Sequence, residues 1–570
     1  MSPESLPPGL ILILGAALTP LLNGRARAAW MLALPVLGFY HLTQLTDGAH
    51  ITYGLFGQSM VHLRVDGLSL VFGYVFYIAA FLAVIYALHV RKALENSAAL
   101  AYAGAAIGAI FAGDLVTLFI YWELTAISSV FLILARGTQR SFGAAMRYLV
   151  IQVGSGVILL SGLIVHYQAT GSIAFNALDP NTLGGGLILL SFAIKAAFPL
   201  LHNWLQDAYP EATVSGTVFL SSFTTKLAIY ALARGFAGTE WLVYVGAAMT
   251  AFPIFYAVLE NDLRKVLSYS LNNQLGFMVV GVGIGTELAI NGAAAHAFCH
   301  ILYKSLLFMS MGAVLYRVGT VKGSELGGLY KSMPITTVLC IIGGMSISAF
   351  PLFSGFVSKS MILLAAADEG FTIPFLVLLF ASAGVMHHSG IKVPYFAFFA
   401  HDSGKRCQEA PMHMLIAMGL AALLCVGIGV YPAALYQVLP YPVDFEPYTT
   451  SHVVLQLQLL LFSGLAFGIL MRTGIYPPEL KSTNLDTDWV YRRALPALWR
   501  GSAESVGQSW ALLVGGLHRM VRHVIYLVSH HHGPEGVMAR TWPTGSMVLS
   551  AVVLLAAYLI LFYLLPFLDA

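Results

Sequence analysis

Residues 187–205 read LILLSFAIKAAFPLLHNWL, and this stretch decides the fold. Lys195 stands inside an apolar run, and Pro199 follows four residues later. Proline has no N–H, so the carbonyl of Lys195 loses its helical partner. An ammonium beside a broken helix is how transporters place an ion site at mid-membrane. Such breaks are tolerated only next to protein or a water-filled cavity. The plainer reading is a lysine snorkelling from a helix end to the surface.

The rest of the chain supports a membrane setting. Of its 570 residues 58% are hydrophobic and 10% charged, with a mean hydropathy of +0.79. A soluble domain carries about 25% charged residues, so this chain cannot cover a water-facing surface of its size. The same arithmetic excludes a disordered protein, and a net charge of +3 offers no basic surface to a nucleic acid. Cys299, Cys340, Cys407 and Cys425 are too scattered for a disulfide framework or a thiolate metal site.

Seventeen apolar runs lie near 8–23, 28–45, 66–90, 98–113, 114–135, 147–167, 184–201, 212–233, 240–258, 266–286, 290–315, 333–350, 354–368, 372–400, 411–431, 451–472 and 545–567. About 20 apolar residues cross a bilayer as a helix. Some runs are half-spans, so 14 to 16 crossings are expected in an all-α polytopic membrane protein; the runs do not read as the alternating strands of a barrel. The start, MSPESLPPG, lacks a basic n-region, and the first span is expected to be retained. Loops 23–27, 91–97, 136–147, 259–265 and 316–332 hold twelve basic residues, whereas the opposite loops hold Arg64 and Arg234. The basic loops are therefore expected in the cytoplasm and the N-terminus outside.

The tail differs. Residues 477–544 carry Lys481, Asp486, Asp488, Arg492, Arg493, Arg500, Arg519 and Arg522. Val506, Trp510, Val514, Leu517, Val521, Ile525 and Val528 recur at helical spacing, with Arg519, Arg522 and His523 mostly off the stripe. This predicts an amphipathic helix in the interface or along a partner protein, against the alternative of a plain connector. His530–His532 reads as a solvated loop in preference to a metal site.

Ionisable groups within spans are costly and mark function. Glu123 sits in LVTLFIYWELTAISSVFLIL (115–134), far from both ends. Lys226 lies in TVFLSSFTTKLAIYALA (217–233). His296, His300 and Lys304 follow each other at i, i+4, i+8 and share one helix face, a pattern that suits a proton wire better than a metal site. For a single histidine the alternative is a satisfied core group. Lys392, with Pro394 two residues on, reads as the lysine of a second broken helix, and His387 and His388 precede it. Lys359, amid prolines, glycines and serines, ranks below these. The Lys195–Pro199 and Lys392–Pro394 pairs are expected at corresponding positions of two repeats, as in inverted-repeat transporters. A lysine whose neighbouring carboxylate moves can gain or lose a proton, so Glu123 with Lys195 would form a switch, and Lys226, His300, Lys304 and Lys392 a relay. GVGIG (281–285) lies in an apolar span and reads as helix packing, not a nucleotide loop.

These residues resemble the antiporter-like subunits shared by respiratory complex I, membrane-bound hydrogenases and Mrp-type Na⁺/H⁺ antiporters. The matching stretches are VDGLSL (65–70), YWEL (121–124), IKAAFPLLHNWLQDA (194–208), NDLRKVLSYSLNNQLGFM (261–278), HAFCHILYKSLLF (296–308) and FPLFSGFVSK (350–359), covering about residues 60–475. The resemblance implies fourteen core helices with two inverted five-helix repeats. It implies that Glu123 and Lys195 are the family's Glu–Lys pair and Lys226 its central base. It also implies that His296, His300 and Lys304 are a polar face of the central axis, and Lys392 the ionisable group of the second broken helix. GIKVPYFAFFAHDSGKR (390–406) resembles the D component of Mrp-type antiporters, while the tail resembles the lateral helix of the long antiporter-like subunit of complex I. The implied organisation is N-terminal helices (1–95), first repeat (96–235), second repeat (236–405), C-terminal core helices (406–475), lateral segment (476–544) and final span (545–570).

The implied function is a proton-translocating subunit of a multisubunit Na⁺ or K⁺/proton antiporter in a bacterial or archaeal cytoplasmic membrane. Its partners would be other membrane subunits and the lipid bilayer, with no cofactor or metal. The alternatives are a pump module of complex I or a membrane-bound hydrogenase, a membrane partner in inorganic-carbon uptake, and a scaffold that conducts nothing. Lysine-rich sites favour protons over sodium, which wants oxygen ligands, so sodium is expected in a partner or at an oxygen-lined site.

Overall fold

The computed structural model describes residues 6–48, 50–55, 57–480 and 484–568; Lys481 lies outside them. The chain divides into two units, Met1–Asn484 and Leu485–Ala570. The first opens with α1 (Pro8–Leu18), α2 (Gly24–Thr43) and α3 (Gly67–Tyr86), and an antiparallel hairpin of β1 (His50–Leu55) and β2 (Gln58–Arg64) joins the last two. Next come α4 (Ala93–Ile110), α5 (Leu115–Leu134), α6 (Gln139–Thr170), α7 (Leu183–Lys195), α8 (Asn203–Ala208), α9 (Gly216–Ser222) and α10 (Thr224–Gly235). They are followed by α11 (Trp241–Leu259), α12 (Leu263–Ile284), α13 (Glu287–Val318), α14 (Pro334–Ile347), α15 (Ser354–Asp368), α16 (Thr372–Val385) and α17 (Lys392–Pro394). The unit closes with α18 (Met412–Val430), the short α19 (Ala433–Tyr436) and α20 (Thr450–Thr473).

Eleven helical stretches among the described residues are long and apolar enough to cross a membrane, and shorter apolar helices supply further crossings. Apart from Val490–His532, expected as the lateral segment, these helices fall on the predicted runs, with one reduction: 333–350 and 354–368 are α14 and α15, the halves of one broken crossing. The chain is an all-α polytopic membrane protein.

Two five-crossing repeats run from α4 to α10 and from α11 to α17. An odd number of crossings places the second upside down relative to the first. Asp114 caps α5 by accepting from Thr117 N–H, and Asp262 caps α12 by accepting from the N–H groups of Arg264 and Lys265. Both α6 and α13 run for 32 residues and end on a left-handed glycine, Gly171 and Gly319. Each capping aspartate also bridges the strand-like segment beyond that glycine, Asp114 to Ala174 and Asp262 to Lys322. Corresponding members of these pairs are separated by the same number of residues, although their sequences differ. The repeat is thus carried by chain geometry and by a few shared residues.

Both repeats break at their fourth crossing. α7 ends at Lys195, and Ala197 and Leu200 adopt positive φ (58° and 71°) before α8. α14 ends at Ile347, and Ala349 and Leu352 do the same (57° and 74°) before α15. These four are all the non-glycine residues with positive φ among those described. The bonds match as well: Phe198 N–H donates to the Ala193 carbonyl and Phe350 N–H to the Met345 carbonyl, at 3.1 and 3.0 Å. The repeated unit is Ala197-Phe198-Pro199-Leu200 and Ala349-Phe350-Pro351-Leu352.

The expected second break at Pro394 is therefore corrected. The path from Thr372 to Phe399 stays helical. It widens into π-helical turns over Met386–Ile391 and Tyr395–Phe399, on either side of Lys392 and Pro394. Wide turns absorb the N–H that proline lacks without ending the helix. Lys359, ranked lower from sequence, is the lysine of the second broken crossing.

The basic loops meet one another. Arg27 donates to the Arg91 carbonyl, Lys92 to the Ala135 carbonyl, and Arg264 to the Tyr209 carbonyl. The two basic residues of the opposite end, Arg64 and Arg234, share Asp66 at 3.2 and 2.6 Å. GVGIG is helix packing: a Cβ on Gly283 would lie 2.6 Å from Val243 N, so α11 and α12 touch backbone to backbone there.

The second unit comprises α21 (Leu495–His532) and α22 (Thr544–Leu568). α21 has 38 residues, about 57 Å of helix. Its stripe of Val506, Trp510, Val514, Leu517, Val521, Ile525 and Val528 is exposed throughout. His530–His532 form its last turn, not a loop.

Candidate functional site

Lys195 ends α7 with its side chain turned onto α5. Its Nζ donates to the Trp122 carbonyl (2.7 Å) and to Thr125 Oγ1 (2.9 Å), and lies 4.2 Å from the centre of the Trp122 ring. The indole face adds a cation–π contact. Trp122 is itself fixed: its Nε1 donates to Ser155 Oγ on α6, which donates to the Ser191 carbonyl on α7. Three helices thus clamp one ammonium, and its anchors are a carbonyl, a hydroxyl and a ring.

Glu123 is the next residue after that carbonyl. It interacts electrostatically with Lys195, yet its Oε1 is buried without a hydrogen-bond partner among the described residues. The side chain lies against Gly156 of α6, where an added Cβ would collide with Oε1. Glu123 shares the outer face of α5 with the exposed Ile120 and Ile127, so it is only half-buried.

The second group occupies the middle of the bundle. Lys226, His296, His300, Lys304 and Lys359 are all buried, and they lie within electrostatic range of one another. The Lys226 ammonium donates to the Ser221 carbonyl, across the kink at Phe223 that separates α9 from α10. His296 pairs with Ser358 Oγ through Nδ1 (3.1 Å) and with Gln274 Oε1 through Nε2 (3.2 Å). Tyr303 OH donates to the same Gln274 oxygen (3.1 Å). The rings of His300, His296 and Tyr303 form a triangle, with His300 6.3 Å from His296 and 5.3 Å from Tyr303 between centroids. Both His300 ring nitrogens and Lys304 Nζ are buried with no hydrogen-bond partner among the described residues. Lys359 Nζ donates to the Ile347 carbonyl (3.0 Å), the last of α14, so it caps the broken end of that crossing.

The third group surrounds the π-helical turn. His388 Nδ1 is 2.9 Å from Ser389 Oγ, and Ser389 Oγ donates to Ser270 Oγ of α12 at 2.7 Å. His387 stacks on Tyr476, with centroids 5.4 Å apart. Lys392 turns toward the end of α11, donates to its last carbonyls and pairs with Glu479 Oε1 at 2.9 Å. The structure thus brings Glu123 to Lys195 and joins Lys226, His296, His300, Lys304 and Lys359, while Lys392 sits in a separate pocket.

Sequence reasoning missed Gln274, Tyr303, Ser358 and Glu479. Gln274 and Ser358 look like ordinary polar helix residues until the helices are assembled. Glu479 lies beyond α20 in YPPEL, a stretch with no periodicity to draw attention to it.

The family described as NADH:quinone oxidoreductase/Mrp antiporter, TM matches residues 112–386, a segment that runs from the start of α5 to the first π-helical turn. This segment is similar to that family's membrane domain. The D component of the Na⁺/H⁺ antiporter of Alkalihalophilus pseudofirmus is 32% identical over 319 residues, 52% of this chain and 64% of that protein. Hydrogenase-4 component B of Escherichia coli is 27% identical over 417 residues, 64% of this chain and 61% of that protein. The chain thus spans about three fifths of the length of the curated relatives it matches. A chain of the archaeal membrane-bound sulfane sulfur reductase superposes with a TM-score of 0.71 over 97% of this chain and all of that one, at 23% identity, a likeness of fold.

Proposed function

We propose that this chain is the proton-translocating subunit of a multisubunit monovalent cation/proton antiporter. The observation that carries the reading is the set of buried bases at the bundle centre, two of which, His300 and Lys304, have no hydrogen-bond partner among the described residues, together with the Glu123–Lys195 pair. A buried ammonium or imidazole without a partner destabilises the fold, and a scaffold has no use for so many. Such groups demand hydrogen-bond partners, and internal water supplies partners that also pass protons. Glu123, Lys195, Lys226, His296, His300 and Lys304 would form the relay, with Lys359 at the second break as a further member. Lys392, His387 and His388 would serve its far end, Pro199 shaping the first break and Pro394 the wide turn. Sodium or potassium would move against protons. Other membrane subunits would cover the half-buried Glu123 face of α5 and the exposed stripe of α21. The likeness to a component of an Na⁺/H⁺ antiporter supports this assignment.

The second reading is a pump module of a redox enzyme, supported by the likeness to a hydrogenase component. Everted vesicles carrying the whole operon separate the two. Collapse of a pH gradient on adding Na⁺ or K⁺ supports the antiporter. Gradient formation that needs a reduced electron donor, with no response to either cation, would make it a redox module.

A further inference from the structure

Four oxygens surround the Lys392 ammonium. Val258 O lies at 2.6 Å, Glu260 O at 2.7 Å, Glu479 Oε1 at 2.9 Å and Ala257 O at 3.2 Å. The three carbonyls take up its three N–H donors, and Glu479 adds a fourth oxygen as an ion pair without a hydrogen bond. Four converging oxygens, three of them carbonyls, are the surroundings of a bare monovalent cation, as in selectivity filters. The carbonyls come from the C-terminal end of α11, whose unsatisfied groups carry partial negative charge. Lys392 and Glu479 are 0% and 5% exposed, so the cage is closed around its charge.

We propose that this cage is a monovalent alkali-cation site in which the Lys392 ammonium is a tethered stand-in for Na⁺ or K⁺. When Nζ gives up its proton, the Glu479 carboxylate and the carbonyl ring retain one uncompensated negative charge, and an alkali cation takes the ammonium's place. One proton leaves, one cation enters, and the charge of the cage is unchanged. This is cation/proton exchange at a single point, and it rests on the antiporter reading above.

The surroundings fit the exchange. The Glu260 side chain pairs with Lys265 at 3.0 Å and Asn484 at 3.3 Å and acts on Lys392 through space only, so Glu479 is the carboxylate in direct contact with the ammonium. Glu479 stands beside Gly323 in the basic-side loop between α13 and α14, next to the Lys322–Glu325 pair. A cation would enter the closed cage from that face, without crossing the bundle, once Glu479 moves aside. On the other side, His387 and His388 interact electrostatically with Lys392, and His388 also with Lys304. The proton therefore has a path of bases toward the central group, while the cation does not enter that path. The π-helical turns on both sides of Lys392 loosen the backbone that must move if its side chain withdraws.

The test uses the full chain in lipid nanodiscs with ²²Na⁺ and ⁸⁶Rb⁺ as probes. Lys392→Met keeps the oxygens and removes the tethered charge, so it should bind one probe cation at least tenfold tighter than wild type at pH 7. Adding Glu479→Gln should weaken that binding at least tenfold. Wild type should release one proton per cation bound, with affinity rising as pH rises. This arm uses the unaltered chain and decides the matter even if Lys392→Met fails to fold. Absence of saturable binding by folded Lys392→Met, binding indifferent to Glu479→Gln, or cation binding without proton release would each overturn the proposal. Lys195→Ala leaves the cage intact and separates the two ideas. Loss of exchange in Lys195→Ala with no cation binding at the cage leaves the relay standing and removes the site. Cage binding with exchange that survives Lys195→Ala does the reverse.

Discussion

Lys195 is held by a carbonyl, a hydroxyl and an indole face, and Glu123 reaches it through space only. The arrangement lets the carboxylate approach or retreat without breaking the lysine's anchors. Gly156 is what gives the carboxylate its place. Gly156→Ala should push Glu123 aside at small cost in stability, because a flexible side-chain end can move. Proton flux should fall several-fold, while thermal unfolding in detergent shifts by less than the few degrees that about 1 kcal/mol produces. An unaltered flux would mean that Glu123 does not act from this position.

Residues of this kind were legible as a set because charges inside apolar runs stand out in any window. Their pairing was legible in part: Glu123 with Lys195 was expected, whereas Lys359 in the central group and Glu479 beside Lys392 were not. The rule that seeks a lysine next to a proline selected Lys392 with Pro394, where the chain instead widens and continues. The better signal was the repeated Ala-Phe-Pro-Leu, which ignores the lysine altogether. In the first repeat the lysine precedes the break, and in the second, Lys359 follows it and returns to the freed carbonyl of Ile347.

At the scale of elements, the two broken crossings store backbone strain. A non-glycine residue at positive φ costs about 1–2 kcal/mol, and four such residues fall at these two breaks. Ala197→Val and Ala349→Val should each destabilise by a further 1–2 kcal/mol or so, because β-branched side chains tolerate that region worst. Ala349→Gly should not lower the unfolding temperature. Thermal unfolding of the purified variants checks both, and equal behaviour of the valine and glycine variants would remove the strain argument.

Another tie between elements lies outside the spans. Asp66 caps α3, accepting from Ser69 N–H, and holds Arg234 at the end of α10. Burial alone would raise its carboxyl; the Arg234 hydrogen bond and charge, the Ser69 N–H and the Arg64 charge outweigh it and hold it below the usual carboxylate range. A depressed acid stabilises the fold above its unfolded value of about 3.9, and that contribution is lost as pH falls through the lower folded value. Asp66→Asn leaves the buried Arg234 unpaired and should cost about 2 kcal/mol near neutrality. Below pH ~4 the gap between variant and wild type should close. A constant gap down to low pH would exclude the ion pair as its cause.

For the whole molecule, hydropathy and loop charge anticipated the crossings, because lipid permits few alternatives to an apolar helix. The grouping of loops by charge also matches the loops that touch. The hairpin of β1 and β2 went unread, since its strands are short and the buried Met60 and Leu63 are three residues apart, which breaks the alternation expected of a strand. Glu479 stayed hidden for a related reason: its partner on α17 is distant in sequence and only the fold joins them. α21 presents a bare stripe on a helix about 57 Å long, and a neighbouring membrane subunit is its expected cover. Val514→Glu with Leu517→Glu should leave unfolding of the first unit unchanged yet lower recovery of the assembled complex. Undiminished assembly would assign the stripe to lipid.

The central claim is that protons cross this chain through the buried bases. Its most direct test is proton flux into proteoliposomes containing the assembled complex, under an imposed cation gradient, for wild type, Glu123→Gln, Lys195→Ala and Lys304→Ala. The account predicts cation-dependent flux in wild type and at least a tenfold loss in each variant, with assembly intact. Wild-type flux in Lys195→Ala and Lys304→Ala would contradict it, for protons would then be crossing elsewhere.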